Sequence, residues 1–148
     1  MPGKFCVSLT SAKDNRDKAT VAFVVANAAV ASDRDTLVFL STEGVHLSQK
    51  GYADDIREEG FAPLKELMEN FVKAGGKVYV CSPCFKRRKL DEGNIISGAT
   101  IVGGAKLVPA AFPRRMERVL SAAVTARSGF PSPLKSAIVT ERGFWPAG

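Results

Sequence analysis

Short runs of apolar and β-branched residues recur along the chain, and longer stretches with apolar residues at helical spacing separate them. Such runs are typical of β-strands. We predict strands at residues 4–10, 35–41, 77–81, 99–103 and 136–140. For the last of these, the segment 119–124 is an alternative. The run at 35–41 is almost continuously apolar, which is typical of a parallel sheet covered on both faces.

The stretches between the predicted strands indicate helices and loops. Residues 16–31 are apolar on nearly every side, so we expect this helix to be buried on more than one face. A second helix opens at Pro63, carries one apolar stripe and stops at Gly75. A third is predicted over 113–127, where proline stands at the start and glycine follows the end. The polar stretch 43–60 predicts a loop with a short helix.

This alternation of strands and helices predicts an α/β fold. Right-handed crossovers then give a mostly parallel sheet of about five strands, with helices on both faces. In such folds, ligands and reactive groups collect beyond the carboxyl ends of the strands. Three polar segments follow predicted strands and are expected to meet there: residues 10–11, 42–46 and 81–84.

Composition favours one globular domain over residues 1–148, since 45% of the residues are apolar and 24% are charged. The longest apolar run, 21–31, is interrupted by Asn27 and is too short to span a bilayer. The first residues carry no apolar export segment, so we expect a cytoplasmic protein that does not enter the membrane. The three cysteines, an odd and low count, agree with a reducing compartment.

The formal net charge is +6, and much of it comes from two basic clusters at 86–89 and 114–115. A basic surface attracts nucleic acid, acidic partners or anionic ligands without identifying one of them. No aromatic-rich RNA-binding motif and no paired zinc-knuckle spacing accompanies these clusters, so the sequence does not favour nucleic acid. The pair at 114–115 is interpreted as a solvated charged face.

The candidate chemistry lies on Cys81 and Cys84, which bracket a Ser-Pro pair at the end of the third strand. If a helix begins there, its N–H groups and positive dipole end stabilise a thiolate. The basic run that contains Arg87 and Arg88 adds positive potential, so we expect a thiol pKa below the ordinary value of roughly 8.5. Two thiols at this spacing can also close a disulfide. Cys6, inside the first strand, is predicted to pack in the core.

His46, the only histidine, could exchange protons with a thiol at this edge of the sheet, supported by Glu43. A single loop histidine is more often a surface residue, and the sequence favours that interpretation. Cys81 and Cys84 could form half of a zinc site, but only Cys6, His46 and carboxylates remain as further ligands, so we expect no metal. The glycine pairs form no dinucleotide or phosphate-binding pattern, and we expect no cofactor.

Four blocks, taken in order, resemble the DsrE/DsrF-like family: residues 26–29, 38–45, 77–84 and 98–103. Together they span about residues 4–107, and the basic part 115–148 matches the family poorly. The resemblance implies a three-layer α/β/α, flavodoxin-like fold and assembly into trimers or hexamers. It also implies that Cys81 matches the cysteine on which sulfur-relay members carry a persulfide. Cys84 matches a second cysteine that occurs in some branches, many of them labelled as predicted peroxiredoxins.

Three hypotheses for the function follow, and the sequence leaves open whether the protein is an enzyme. The leading one is a sulfur carrier or sulfurtransferase, in which Cys81 accepts a sulfane sulfur from a donor protein and passes it to an acceptor protein. Cys84 would resolve the persulfide or tune Cys81. The second is a peroxiredoxin-like dithiol oxidoreductase that uses the same pair. The third is a non-enzymatic oligomeric binding module. The apolar first helix and the resemblance both predict a homo-oligomer.

Overall fold

The computed structural model describes residues 3–111 and 119–121 of the 148-residue chain. Its strands are β1 Lys4–Leu9, β2 Asp35–Leu40, β3 Lys77–Cys81, β4 Ala99–Val102 and β5 Val119–Ser121. Its α-helices are α1 Arg16–Ala31, α2 Leu64–Lys73, α3 Ser82–Arg87 and α4 Gly104–Ala111. Short 3-10 helices occur at Lys13–Asn15, Thr42–Ser48 and Glu92–Asn94.

Four of the strands, β1 to β4, form a parallel sheet in the order β4-β3-β2-β1. The short β5 pairs in parallel with the free edge of β1. The predicted α/β fold, with a parallel sheet between helices, is therefore confirmed. The predicted bounds of the first four strands agree with the structure to within one residue, and α1 agrees at both ends. Pro63 lies just before α2, as the cap residue rather than the first helical one.

One face of the sheet carries most of the core. Val7, Val38 and Val78 are register partners on three neighbouring strands, and all are fully buried beneath α1 and α2. Phe23 of α1 and Phe71 of α2 meet edge to face there, with ring centroids 5.8 Å apart. Helix α1 follows β1, and helix α2 precedes β3. Both helices bury their apolar faces against the same face of the sheet, which holds β1, β2 and β3 side by side.

The opposite face of the sheet is covered by α4. Leu107 and Ala110 of this helix pack against Cys6 and Leu37, which point away from the main core. Alternation along the strands explains this second layer, because successive side chains of a strand point to opposite faces. Cys6 is 5% exposed, so the predicted packing role of this cysteine is confirmed.

The first helix departs from its prediction in part. It contacts the sheet on one side and α2 on another, as predicted. However, Val21 is 36% exposed, Ala28 is exposed, and Val24 and Val25 are only half-buried. These four residues, here called the α1 stripe, form an accessible apolar strip along the helix.

Residues 119–121 form β5, so the predicted helix over 113–127 is wrong there and the alternative strand at 119–124 agrees with the structure. The free edge of β1 offers backbone partners to a short apolar segment, and such tertiary pairing overrides a weak helix propensity. The remainder of that prediction and the strand at 136–140 lie outside the described residues. The single domain over 1–148 therefore stays a prediction. In the described part of the chain, every helix is too short or too polar to cross a bilayer.

Candidate functional site

The two candidate cysteines lie where β3 passes into α3. Cys81 is the last residue of β3, and Cys84 lies in the first turn of α3. Pro83 is accommodated there because the first turn of a helix leaves its N–H groups without intrahelical partners. Phe85 is 1% exposed and anchors α3 to the core. Cys81 and Cys84 are therefore half-buried free thiols where β3 meets a short, anchored helix at the carboxyl edge of the sheet.

The surroundings of Cys81 do not lower its pKa as the sequence predicted. Burial raises the pKa of the Cys81 thiol above its ordinary value, and a hydrogen bond with the Cys84 thiol raises it further. The backbone N–H of Cys84 and the positive charge of Arg88 act in the opposite direction, and burial outweighs them. Cys81 is therefore protonated at neutral pH, and its nucleophilic form appears only after it loses a proton.

Glu43 and Arg88 join the loop after β2 to the helix that carries the cysteines. The Glu43 Oε1 atom accepts hydrogen bonds from Arg88 Nη2 at 2.7 Å and from Arg88 Nε at 3.2 Å. Arg88 Nη1 also lies 3.5 Å from the Cys84 carbonyl oxygen. The Arg88 side chain is only 20% exposed, so the pair is partly shielded from water. Arg87, by contrast, is exposed and makes no ion pair within the described residues.

His46 is partly exposed at the surface, with a quarter of its side chain open to solvent, and its role in proton exchange stays a prediction. Its Nε2 atom lies 3.6 Å from Glu43 Oε2, so Glu43 stands between His46 and Arg88. The His46 ring stacks on Tyr52, with centroids 5.2 Å apart. Lys13 Nζ lies 4.6 Å from the centre of the Tyr52 ring. Sequence analysis missed Tyr52 and Lys13, because they come from separate loops and no local spacing connects them.

Close backbone packing against the end of β1 holds the segment 42–46 in place. The Gly44 N–H donates to the Thr10 carbonyl at 3.2 Å and to the Ser41 carbonyl at 2.8 Å. A Cβ atom on Gly44 would lie 2.4 Å from the Leu9 carbonyl oxygen, so only glycine fits. Thr42 Oγ1 also donates to the Thr10 carbonyl, at 2.8 Å. The segment after β1 thus serves the site as a backbone anchor for Glu43.

The structure also contains a cleft that the sequence did not indicate. Its volume is about 390 Å³, and it lies between α2 and the segments 47–54 and 96–97. Met68 and Val72 form part of its apolar wall, and Lys65 and Glu69 are among its polar residues. Neither candidate cysteine lines it. Elsewhere, the described residues contain no group of three or more histidine, cysteine, aspartate or glutamate side chains that could hold a metal ion.

Cys6 provides a separate test of how thiols behave in this fold. Burial raises the pKa of Cys6 to about 12, so the folded protein keeps this proton above the pH at which an unfolded thiol loses it. The resulting stabilisation is complete below about pH 8.5 and decreases by about 1.4 kcal/mol per pH unit above it. We expect urea denaturation between pH 8 and 10 to show a steeper loss of stability in the parent protein than in Cys6→Val, in which only the raised pKa of Cys81 still contributes. Equal pH dependence in both would contradict the burial of the Cys6 thiol.

Comparison with known proteins identifies relatives over most of the described chain. A family model described as the DsrE/DsrF-like family matches residues 3–112. The uncharacterized protein MJ0760 of Methanocaldococcus jannaschii is 30% identical over 94 residues, which are 64% of this chain but only 34% of that protein. The chain thus spans about a third of that relative. The uncharacterized protein MJ0989 of the same organism is 29% identical over 118 residues, covering 80% of this chain and 98% of that protein.

Two solved structures have the same fold. The ychN protein from E. coli superimposes with a TM-score of 0.65 at 18% identity, covering 82% of this chain and 99% of that chain. MTH1491, a protein of unknown function from Methanobacterium thermoautotrophicum, superimposes with a TM-score of 0.57 at 10% identity. It covers 82% of this chain and 99% of its own. At these identities the likeness concerns the fold alone.

Proposed function

This chain belongs to the DsrE/DsrF-like family, and on that premise we propose that it is a thiol-based sulfur carrier. The observation that carries the proposal is the dithiol at the carboxyl end of β3. There, two free, half-buried thiols lie three residues apart, one at the end of β3 and one in the first turn of α3. A cysteine of this kind can hold a sulfur atom that another protein delivers and a third protein removes.

Loading of sulfur begins with loss of the Cys81 proton. The resulting thiolate attacks the outer sulfur of a donor persulfide, the donor S–S bond breaks, and the donor leaves as a thiolate that takes up a proton. Cys81 then carries the persulfide. The backbone N–H of Cys84 and the guanidinium of Arg88 both stabilise the Cys81 thiolate, because each lowers the pKa of that thiol. Glu43 holds Arg88 in place.

The carried sulfur can leave by two routes. An acceptor thiolate can attack its outer sulfur, which transfers the sulfur and returns Cys81 to a thiolate. Alternatively, the Cys84 thiolate attacks the inner sulfur, which forms a disulfide with Cys81 and releases hydrogen sulfide. The second route ends the cycle until a reductant restores the dithiol. We therefore propose that Cys84 limits the lifetime of the persulfide.

A dithiol oxidoreductase is the second candidate, and the placement of two free thiols three residues apart at the start of α3 favours it. In that function the Cys81 thiolate attacks a peroxide oxygen, becoming a sulfenic acid while an alcohol or water leaves. Cys84 then attacks the sulfenic sulfur, water leaves, and a disulfide forms. The raised pKa of Cys81 is a disadvantage here, because peroxide reacts with thiolates and not with thiols.

Mass spectrometry of the intact protein separates these functions. After incubation with a persulfide donor and alkylation, a sulfur carrier gains one sulfur atom. Cys84→Ser, which cannot form the disulfide with Cys81, keeps this gain if the protein is a carrier. A dithiol oxidoreductase gains no sulfur in the parent or in Cys84→Ser, and its parent form loses two hydrogens after hydrogen peroxide. An unchanged mass after both a persulfide donor and hydrogen peroxide would contradict both functions and favour the non-enzymatic binding module.

Substitution of Arg88 should slow the chemistry of Cys81. In Arg88→Gln the pKa of Cys81 rises further, because the positive charge that lowers it is removed and Glu43 loses its partner. We expect alkylation of Cys81 by iodoacetamide at pH 7.5 to slow about threefold or more, and the pH–rate profile to move upward. The rate is followed on the tryptic peptide 78–86, which contains both candidate cysteines.

Arg87→Gln is the matched control, because it removes the same charge from the neighbouring, exposed position. Its alkylation profile should stay within a factor of about 1.5 of the parent, since exposed charges are screened by solvent. Equal slowing in both variants would show that the general basic potential matters, and that the ion pair between Glu43 and Arg88 has no special role.

The α1 stripe supports a proposed homo-oligomer, as a trimer or hexamer. Accessible apolar side chains on a helix are more stable when a second copy covers them. We expect light scattering at micromolar concentration to report a trimer or hexamer, and Val21→Glu to shift the protein toward smaller species. Arg16→Glu, at an exposed polar position of the same helix, is the control. A parent protein that is monomeric in this measurement would refute the prediction.

A further inference from the structure

Three unpaired positive charges lie beside the dithiol. Lys86, Arg87 and Lys89, here called the α3 cation patch, are all exposed. Within the described residues, none of the three makes an ion pair. Their neighbour Arg88 differs, because it forms an ion pair with Glu43. The patch therefore keeps its positive potential in the monomer, and it begins two residues after Cys84.

The shape of the patch favours a ligand with several negative charges. Lys86 and Arg87 are consecutive helical residues, whose side chains diverge by about 100° around the helix axis. Lys89 lies just beyond the end of α3 in the left-handed conformation, with φ of 53°. The three cations are thus spread around the end of α3. A single carboxylate can pair with only one of them, whereas an acidic peptide segment can reach all three.

The position of the patch connects this charge to sulfur chemistry. Lys86 and Arg87 follow Cys84 by two and three residues on the same helix, and Lys89 lies just beyond its end, so the patch and the dithiol belong to one short segment of the chain. A partner held by the patch would present its own sulfur to the dithiol. A nucleic acid could also pair with these three cations, but it carries no sulfur to exchange. The adjacent thiols therefore favour a protein as the partner of the patch.

We propose that the α3 cation patch docks an acidic segment of a partner protein, and that this segment carries a cysteine that exchanges sulfur with the dithiol. This proposal rests on the proposed function and identifies the charge and type of its partner. The patch raises the rate of encounter with such segments and lowers it for basic ones. Electrostatic steering of this kind changes association rates by about tenfold or more at low salt.

The test uses model partners in a thiol–disulfide exchange. One probe is a short peptide with a central cysteine flanked by glutamates, and its matched control has glutamines instead. Each cysteine is activated as a 2-thiopyridyl disulfide. A thiolate of the dithiol attacks the peptide sulfur, the bond to the thiopyridyl sulfur breaks, and pyridine-2-thione leaves after protonation by solvent. Its absorbance gives the second-order rate without any added oxidant.

We expect the glutamate peptide to react about tenfold faster than the glutamine peptide at low salt, and at a similar rate in about 0.5 M salt. In K86E/K89E the ratio of the two rates should fall below one. The control is R34E/K73E, which makes the same charge change at exposed positions just before β2 and at the end of α2. Its ratio should stay within about twofold of the parent.

Three results would overturn the proposal. The first is a ratio near one in the parent at low salt, and the second is an unchanged ratio in K86E/K89E. The third concerns the mixed disulfide of pyridine-2-thiol and 3-mercaptopropionate, a small probe with a single carboxylate. If it reacts as fast as the glutamate peptide, the patch recognises a small anion instead of a protein segment. Failure of the proposed function is a separate result: the protein then prefers the acidic peptide but gains no sulfur from a persulfide donor.

Discussion

Cys81→Ser is expected to lose persulfide loading by at least about 100-fold, because a hydroxyl cannot replace the attacking thiolate. Cys84→Ser is expected to load as the parent does and to hold its persulfide at least about tenfold longer. The reason is that Cys84 supplies the thiolate that releases hydrogen sulfide from the inner sulfur. The measurement is a time course of alkylation-trapped persulfide by mass spectrometry, with the persulfide donor removed at time zero.

Cys6→Ser is the matched control for this comparison, since it exchanges the same atoms at a buried cysteine on the opposite face of the sheet. It should load sulfur at the parent rate once it is folded. If Cys84→Ser fails to load while Cys81→Ser loads, the two roles are exchanged. If both variants load as well as the parent, the sulfur resides elsewhere in the chain.

Gly44→Ala is expected to destabilise the protein by about 2 to 3 kcal/mol, because its Cβ would overlap the backbone at the end of β1. The nearest atoms, the carbonyl oxygen and carbon of Leu9, would lie at 2.4 and 3.2 Å. No side-chain rotation relieves such a contact, so the segment 42–46 must move. That movement displaces Glu43 from Arg88, and sulfur loading by Cys81 should slow as well. Urea denaturation and the loading assay measure the two effects.

Gly103→Ala provides the matched control, because a Cβ atom there would meet nothing within 4 Å. Its stability should lie within about 0.5 kcal/mol of the parent, as for most surface substitutions. If Gly44→Ala is as stable as this control, the segment after β2 is not held by the close contact with β1. If it is destabilised but loads sulfur at the parent rate, Glu43 has no part in the chemistry.

Much of the fold follows from local patterns in the sequence. The segments that form β1 to β4 are short apolar runs in the sequence. Their pattern of apolar residues is the one expected of a parallel sheet, and the structure pairs them in parallel. For residues 119–121 the sequence left a helix and a strand as alternatives. That segment pairs with an edge of β1 that is distant in the sequence, and helix propensity contains no information about such an edge.

The placement of the candidate residues at one edge of the sheet was predictable, but their electrostatics were not. The rule that functional groups collect at the carboxyl ends of parallel strands brings Glu43 close to Cys84 and Arg88, as the structure shows. The pKa of Cys81 could not be obtained in this way. It depends on how deeply the thiol is buried, and burial at a strand end depends on side chains from several elements. The stacking of His46 on Tyr52 could not be predicted for the same reason, because it also depends on how separate segments pack together.

Locating the sulfur within the parent protein tests the central claim most directly. After persulfide loading and alkylation, trypsin releases Cys81 and Cys84 on peptide 78–86 and Cys6 on peptide 5–13. Fragmentation between the two cysteines of peptide 78–86 then shows which of them carries the extra sulfur. We predict the additional sulfur on Cys81. Sulfur on Cys84 or Cys6, or a protein that gains none at any of the three cysteines, would contradict the account.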